Sequence, residues 1–217
     1  MTPGRDIEQG LAGRYDEVYA RARGQHPASV PWAHGAPHPL FASWLDDADS
    51  PAPRRDAALV IASGLGDDAE ALADRGWKVT AFDASPQAIA WTRERFPDTR
   101  VTYRVEDLFA LPEAWHRRFD LVVEIHTVQA LPVTYRQRAI EAIADTVAPG
   151  GTLVVITMTR LADVPLRGYP MPLTESELAS FQRHGLEETD RHVASVPTQH
   201  QPGRVRCVFT RPAGTYE

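Results

Sequence analysis

Residues 58–85, "ALVIASGLGDDAEALADRGWKVTAFDAS", contain two short apolar runs separated by a glycine-containing turn and a segment of helical length. The runs are continuous rather than alternating, which is typical of strands that are buried on both faces. Gly64 and Gly66 follow the first run, where glycine permits a sharp turn and a close approach of the backbone to a ligand. The stretch therefore predicts the strand, turn, helix and strand of a nucleotide-binding α/β unit.

The same alternation of strands and helices continues along the chain. Apolar, β-branched runs predict strands at 57–62, 77–83, 100–105, 119–125 and 151–158. Helical patterns lie between them, at 68–75, 86–95 and 134–147. Because strands alternate with helices, we expect right-handed crossovers and a parallel sheet.

The two ends of the chain differ from this pattern. Residues 10–24 and 31–45 predict a helix, an ordered loop and a second helix ahead of the sheet. After a predicted helix at 174–184, residues 186–196 and 204–211 are separated by a polar loop, which indicates an antiparallel hairpin.

These elements together predict the fold class. We expect an α/β, Rossmann-like three-layer sandwich, with a mostly parallel seven-stranded sheet, an antiparallel C-terminal hairpin and an N-terminal helical arm. A length of 217 residues favours a single domain over two. Within it, residues 1–50 are expected to form the arm or lid and residues 57–217 the Rossmann-like core.

The composition excludes several classes of protein. The formal net charge is −6, whereas nucleic-acid binders concentrate positive charge, so nucleic acid is not an expected partner. The N-terminus lacks the apolar core of a signal peptide, and the longest apolar stretch, 152–158, is too short to span a bilayer. We therefore expect a cytoplasmic protein without a membrane partner, and the sequence leaves monomer and dimer open.

Cysteine and metal chemistry are not expected either. Cys207 is the single cysteine, which excludes an intramolecular disulfide, and its alternating strand favours a buried packing role. His34 and His38 are separated by glycine and proline, so no helix places them on one face, and no third ligand is near. We expect no metal site.

In an open parallel sheet, ligands bind beyond the carboxyl ends of the strands. Asp83 ends the second strand, where a carboxylate can accept hydrogen bonds from both ribose hydroxyls of an adenosine. Its alternative role is to cap the following helix, although Ser85 already suits that position. Asp107 ends the third strand, where it can accept from an adenine amino group while Leu108 packs against the ring.

This combination of residues resembles the class I S-adenosylmethionine-dependent methyltransferases. The resemblance covers residues 57–158 and includes "APGGTLVVI", which leads into the fifth strand. It implies S-adenosylmethionine as cofactor and S-adenosylhomocysteine as product. The residues expected to bind the cofactor come from the arm and from the loops after four strands: Trp32, Ser63, Gly64, Gly66, Asp83, Ala84, Asp107, Leu108 and Glu124.

Two positions depart from the common pattern of this superfamily, in which the first strand carries an acid and the turn begins with glycine. Val60 and Ala62 occupy these positions. The thiopurine, thiol and halide methyltransferase subgroup tolerates an apolar residue at the acid position. It also carries a proline-tryptophan segment before its first strand, similar to "PWAHGAPHP" at 31–39, although Ala33 replaces a usual aspartate. The resemblance implies that Trp32 covers the cofactor; the alternative is that Trp32 only anchors the arm.

The acceptor is expected beside the loop after the fourth strand. In this fold "EIHTVQALP" lies next to the transferable methyl group, which makes His126 the candidate base or orienting group, with Glu124 as a second catalytic candidate. An ordinary packed histidine is the alternative. Residues expected to line a partly aromatic acceptor pocket are Tyr15, Tyr19, His34, Arg160, Tyr169 and Met171.

Three functions follow as hypotheses. The first is methyl transfer to a small molecule, with a thiol or similar soft nucleophile favoured and oxygen or nitrogen methylation of an aromatic metabolite as the alternative. The second, motivated by Val60 and Ala62, is a non-catalytic cofactor-binding protein. The third is a dinucleotide oxidoreductase, which the missing first glycine and Asp107 disfavour.

Overall fold

The computed structural model describes residues 3–47, 57–166 and 168–214, and side chains from residue 13 onward. The proline-rich connection at 49–55 lies outside the described residues. The strands are β1 (Ala57–Ile61), β2 (Lys78–Asp83), β3 (Thr102–Val105), β4 (Phe119–Ile125), β5 (Val147–Thr159), β6 (Glu187–Ser195) and β7 (Gly203–Thr210).

These strands form one sheet in the order β3-β2-β1-β4-β5-β7-β6. The first five strands pair in parallel, and β7 pairs antiparallel with both β5 and β6. The predicted Rossmann-like sheet with an antiparallel C-terminal hairpin is therefore confirmed.

Seven α-helices flank the sheet in the described residues: α1 (Pro3–Ala22), α2 (Pro39–Leu45), α3 (Asp67–Asp74), α4 (Pro86–Arg95), α5 (Thr127–Ala130), α6 (Val133–Ala144) and α7 (Glu175–Leu178). Short 3-10 turns occupy Pro27–Ser29, Leu108–Ala110, Glu113–Trp115 and Ala179–His184. None of the described helices combines the length and the apolar character that crossing a membrane demands.

Some boundaries differ from those that the sequence predicts. The helix expected at 174–184 is a single α-turn, with a capping box between Thr174 and Glu177, followed by a 3-10 turn. Strand β5 begins at Val147 rather than at 151, because Gly150 and Gly151 continue its pairing through backbone hydrogen bonds with Arg211.

The sheet is buried on both faces, as its continuous apolar runs require. Along β1, Leu59 and Ile61 contribute to the core on the side of α6, whereas Val60 contributes to the core on the side of α2. Phe41 and Trp44 of α2 belong to that second cluster and are buried. An apolar residue at position 60 therefore fits, since a carboxylate there would be buried among apolar groups at a large energetic cost.

The strand order reverses at β1, because β2 and β3 lie on one side of it and β4 and β5 on the other. The loops after β1 and β4 therefore diverge at the carboxyl edge of the sheet, which is where the ligand crevice of this fold usually lies.

Helix α1 lies across this crevice and bonds to α4 on one side and to α5 on the other. Asp16 accepts hydrogen bonds from the Ser85 hydroxyl (2.6 Å) and the Gln87 amide (3.0 Å) at the start of α4. Tyr15 donates its hydroxyl to the carbonyl of Ala130 (3.1 Å) at the end of α5. The arm thus bridges the two sides of the site.

Candidate cofactor and acceptor site

The turn after β1 has the backbone shape of a glycine turn, although one glycine is missing. Gly64 and Gly66 have φ of 53° and 87°, and Ala62 also adopts a left-handed φ of 46°. That conformation costs a residue with a Cβ roughly 1–2 kcal/mol. Ala62 therefore keeps the conformation of the glycine it replaces, at an energetic cost.

Asp83 lies under this turn and is 8% exposed. Its carboxylate oxygens accept from the Gly64 amide (3.0 Å) and the Ser85 amide (2.9 Å). Burial raises the pKa of Asp83, and these backbone amides oppose the rise. A carboxylate accepts about four hydrogen bonds, so acceptor positions remain for two ligand hydroxyls. Ser85 caps α4 through the Ala88 amide (3.0 Å), as the sequence suggests.

The loops after β2 and β3 present the other adenosine-binding candidates. Ala84 and Asp107 are exposed, and Leu108 is buried in the core. Asp107 accepts from the Phe109 amide (2.9 Å) and thereby caps the 3-10 turn that Leu108 begins. Asp107 therefore has a local structural role in addition to any contact with adenine.

An aromatic cluster from the arm lies over the glycine turn. Trp32 donates its indole N–H to the Tyr19 hydroxyl (2.7 Å) and meets the rings of Tyr15 and Tyr19 edge-on at 5.3 and 5.6 Å. Tyr19 is buried, and burial followed by the charge of Asp83 raises its pKa. Trp32 is 38% exposed, so it forms the outer surface of this cluster.

Glu124 is fully buried at the end of β4. Its Oε1 accepts from the amides of Thr127 (2.5 Å) and Val128 (3.0 Å), which caps α5. Its Oε2 is buried and has no hydrogen-bond partner in the described part of the chain. Burial raises the pKa of Glu124 to about 7, because the desolvated carboxyl disfavours its charged form.

His126 follows β4 in a left-handed conformation with φ of 63°, and its amide donates to the Ile156 carbonyl (2.9 Å). Its Nδ1 is buried, and residues 3–47, 57–166 and 168–214 offer it no hydrogen-bond partner. The His38 ring lies 5.1 Å away between centroids, and the exposed His34 ring lies 6.0 Å from His38. Burial lowers the pKa of both His126 and His38 to about 4, so both imidazoles are neutral at pH 7.

Several polar side-chain atoms are buried around the carboxyl ends of β1 and β4. Ser63 Oγ, Glu124 Oε2 and His126 Nδ1 are buried and have no hydrogen-bond partner among the described residues. Ser63 follows β1, Glu124 lies near the end of β4, and His126 follows β4. Almost all buried polar atoms in native proteins are paired, so a group of unpaired ones at the crevice calls for a ligand with polar groups. The residues present therefore fit a cofactor with a polar end at this position.

The remaining pocket candidates lie after β5. Tyr169 is exposed beneath Arg14, whose guanidinium carbon lies 5.0 Å from the ring centroid. Met171 is joined to α5, because its amide donates to the Gln129 carbonyl (2.9 Å). Arg160 donates one guanidinium nitrogen to the carbonyls of its own loop, the shortest contact being to Val164 (2.9 Å). Arg160 thus orders this loop.

Two residues that organise the site are not predicted by the sequence. Gln129 is buried, and its Oε1 accepts from the Met158 amide (2.6 Å) and the Thr157 hydroxyl (2.9 Å). Asp16 connects α1 to α4 as described above. Both have polar partners far away in the sequence, and no local pattern signals such pairs. The described residues contain no group of three His, Cys, Asp or Glu side chains able to hold a metal ion.

Comparisons with known proteins agree with this geometry. Residues 58–151 match the family model described as "Methyltransferase domain". A 1,6-didemethyltoxoflavin-N1-methyltransferase from Burkholderia thailandensis is similar in structure, with a TM-score of 0.72, 17% identity, and coverage of 98% of this chain and 92% of that chain. The N-methyltransferase NodS from Bradyrhizobium japonicum gives a TM-score of 0.66, 19% identity, and coverage of 93% and 98%.

A TehB-like S-adenosylmethionine-dependent methyltransferase from Corynebacterium glutamicum has a TM-score of 0.62, 20% identity, and coverage of 95% of this chain and 99% of that chain. At such identities the structures show a common fold. The family match adds the enzyme class, and its cofactor is S-adenosylmethionine. Residues 58–151 therefore match a methyltransferase domain, and the sheet as a whole has the Rossmann-like methyltransferase fold.

Proposed function

We propose that the protein methylates a small-molecule acceptor in the crevice between the loops after β1 and β4. The observation that carries this proposal is the group of buried, unpartnered atoms there: Ser63 Oγ, Glu124 Oε2 and His126 Nδ1. When bound, S-adenosylmethionine supplies a methyl carbon on a sulfonium, whose carbon–sulfur bond breaks to leave S-adenosylhomocysteine. The protein's contribution is then to bind, orient and exclude water.

The adenosine part would be held by the loops after β2 and β3. Asp83 would accept the ribose hydroxyls with its remaining acceptor positions, and Asp107 would accept from the adenine amino group. Leu108 and the exposed Ala84 would contact the base and the ribose. These assignments are supported by the position of all four residues at the carboxyl edge of the sheet.

The opposite end of the cofactor would lie against the glycine turn. Ser63, Gly64 and Gly66 would approach it with backbone and hydroxyl groups, and the unpartnered Oε2 of Glu124 would accept from its polar groups. Trp32, which contacts Tyr19 over this turn, would cover the methionine portion and keep water away. We therefore propose that the arm, residues 1–50, of which the structure describes 3–47, is a lid on a single domain of residues 1–217.

His126 would act on the acceptor. A neutral imidazole with a free Nδ1 can accept a proton from, or orient, a nucleophile that still carries hydrogen. Residues that would line the acceptor pocket are Tyr15, Tyr19, His34, Arg160, Tyr169 and Met171. Of these, Arg160 would act mainly by holding its loop, because one guanidinium nitrogen is already bonded to that loop's carbonyls.

Two acceptor classes remain in competition. The proline-tryptophan segment at 31–39 favours a thiol or similar soft nucleophile, through its similarity to the thiopurine, thiol and halide subgroup. Nitrogen or oxygen methylation of an aromatic metabolite is favoured by the unpartnered Nδ1 of His126, since a thiolate needs no base. Two structural neighbours described as N-methyltransferases, one of them acting on 1,6-didemethyltoxoflavin, also support this second class.

The proposal is tested by incubating the protein with methyl-labelled S-adenosylmethionine and a panel of thiols, phenols, amines and iodide. We expect label in one acceptor class, and loss of transfer in His126→Asn without loss of S-adenosylhomocysteine binding. Glu141→Gln, an exposed change on α6, is the matched control and should transfer normally. Transfer that is unchanged in His126→Asn would overturn the role of that residue, and a cofactor bound without transfer to any class would overturn the proposal.

A further inference from the structure

Arg204 lies beside the acceptor side of the crevice. It pairs with Met158 near the carboxyl end of β5, two positions beyond the pair of Ile156 with Arg206. Along β7, Val205, Cys207 and Phe209 face the core on the side of α6, whereas Val208 faces the core on the side of α2. Because side chains alternate along a strand, Arg204 shares the face of α2, the helix that His38 caps.

Arg204 carries a charge that the described residues do not neutralise. Its neighbour on the same face, Arg206, is paired with Asp190 (2.7 Å). The Arg204 side chain is exposed and forms no hydrogen bond or ion pair with residues 3–47, 57–166 or 168–214. The His126 amide bonds to the Ile156 carbonyl, two residues before Met158, the strand partner of Arg204, which places Arg204 and His126 at the same end of the sheet. In keeping with this, the charge of Arg204 contributes, after burial, to the lowered pKa of both His38 and His126.

His38 adds a hydrogen-bond donor at the same place. Its Nδ1 accepts from the Leu40 amide (3.2 Å), so the proton of the neutral ring is on Nε2. The exposed ring of His34 lies 6.0 Å from the His38 ring. The Nε2–H of His38 and the guanidinium of Arg204 are therefore both available as hydrogen-bond donors on the side of the site where His126 lies.

We propose that Arg204, together with His38, binds a carboxylate carried by the methyl acceptor, so that the substrate is an anionic small molecule whose nucleophile faces His126. The inference rests on the proposed function. A guanidinium matches a carboxylate in geometry, and its single charge balances a single negative charge when the histidine is neutral. The protein as a whole has a formal charge of −6, so binding an anion requires a local cation of this kind.

The test uses three pairs of probes that differ in charge alone: 4-mercaptobenzoate and its amide, 4-hydroxybenzoate and its amide, and 4-aminobenzoate and its amide. Each is titrated calorimetrically into the full chain saturated with S-adenosylhomocysteine, so that no turnover occurs. In at least one pair we expect the acid to bind about tenfold more tightly than the amide, as a charged hydrogen-bonded pair provides.

Variants assign the preference to Arg204. Arg204→Gln should abolish the difference between acid and amide, and Arg204→Lys should retain part of it. The matched control is Arg118→Gln, which removes an exposed arginine at the opposite edge of the sheet and should keep the full preference. Equal binding of acid and amide, including no measurable binding of either, overturns the inference, as does a preference that persists in Arg204→Gln. If the unmodified protein does not bind S-adenosylhomocysteine, the proposed function is overturned instead.

Discussion

Trp32 donates its indole N–H to the Tyr19 hydroxyl over 2.7 Å, and that hydroxyl lies 3.1 Å from the position that a Cβ on Gly64 would occupy. The arm therefore touches the glycine turn through this pair. Since Asp83 accepts from the Gly64 amide, a chain of contacts runs from Tyr19 of the arm through Gly64 to Asp83, the proposed ribose acceptor. Cofactor binding and the position of the arm should depend on each other.

Truncating Trp32 tests this link. Trp32→Ala removes the ring contacts and the hydrogen bond, and we expect the free energy of S-adenosylhomocysteine binding to weaken by roughly 0.5–1.5 kcal/mol, the value of an aromatic contact of this kind. Trp32→Phe keeps a ring beside Tyr15 and should lose less. Calorimetric titration of the three proteins gives the comparison. Equal S-adenosylhomocysteine affinities in all three proteins would show that Trp32 anchors the arm and does not cover the cofactor.

The two glycines Gly66 and Gly76 allow a matched test of the turn. Both have left-handed φ, 87° and 89°, but a Cβ at Gly66 would lie 2.5 Å from the Tyr103 hydroxyl, whereas nothing lies within 4 Å at Gly76. Gly76→Ala should cost roughly 1–2 kcal/mol of backbone strain. Gly66→Ala should cost a further 1–3 kcal/mol or so from overpacking. Urea denaturation measures both, and equal losses would show that the turn has room for a side chain.

Glu124 makes stability depend on pH in a direction that can be worked out. Burial raises its pKa from 4.5 to about 7, so the folded state holds the proton more tightly than the unfolded chain. The stability that the protonated Glu124 side chain contributes to the folded state is fully present below pH 4.5 and is lost as pH rises through about 7. Relative to Glu124→Gln, the natural protein should lose on the order of 3 kcal/mol of unfolding free energy across this range.

Denaturation of both proteins at pH 5 and pH 8 measures this difference, and other titrating groups cancel between them. Glu141→Gln, an exposed glutamate on α6, serves as the control and should follow the natural protein at both pH values. A constant difference between the natural protein and Glu124→Gln would mean that the buried carboxyl does not titrate between these values.

Much of the fold follows from local patterns in the sequence. Continuous apolar runs predict the five parallel strands, and Ser85 followed by Pro86 predicts the start of α4, where the structure has it. The left-handed φ of Ala62 could not be predicted, because alanine gives no sign of a conformation that the surrounding loop imposes. The length of β5 depends on pairing with a residue about sixty positions away, Arg211, which periodicity does not show.

The site is predicted less completely, because several of its residues are defined by tertiary contacts. Asp83 can be recognised from its spacing after the glycine turn. Gln129 and Arg204 cannot, since both owe their importance to Met158 of β5, which contacts the Gln129 side chain and pairs with Arg204 only in the folded protein. The histidine pair His34 and His38 is visible in the sequence, but His38 gains significance only when its ring is placed beside His126.

The most direct test of the central claim is calorimetric titration of the protein with S-adenosylhomocysteine and with NAD, repeated on Asp83→Asn. We predict binding of S-adenosylhomocysteine but not of NAD, and a loss of roughly 1.5–3 kcal/mol in Asp83→Asn, because ribose hydroxyls lose a charged acceptor. Asp98→Asn, an exposed change after α4, should bind as the natural protein does. Tighter binding of NAD, or unchanged affinity in a folded Asp83→Asn protein, would contradict the account.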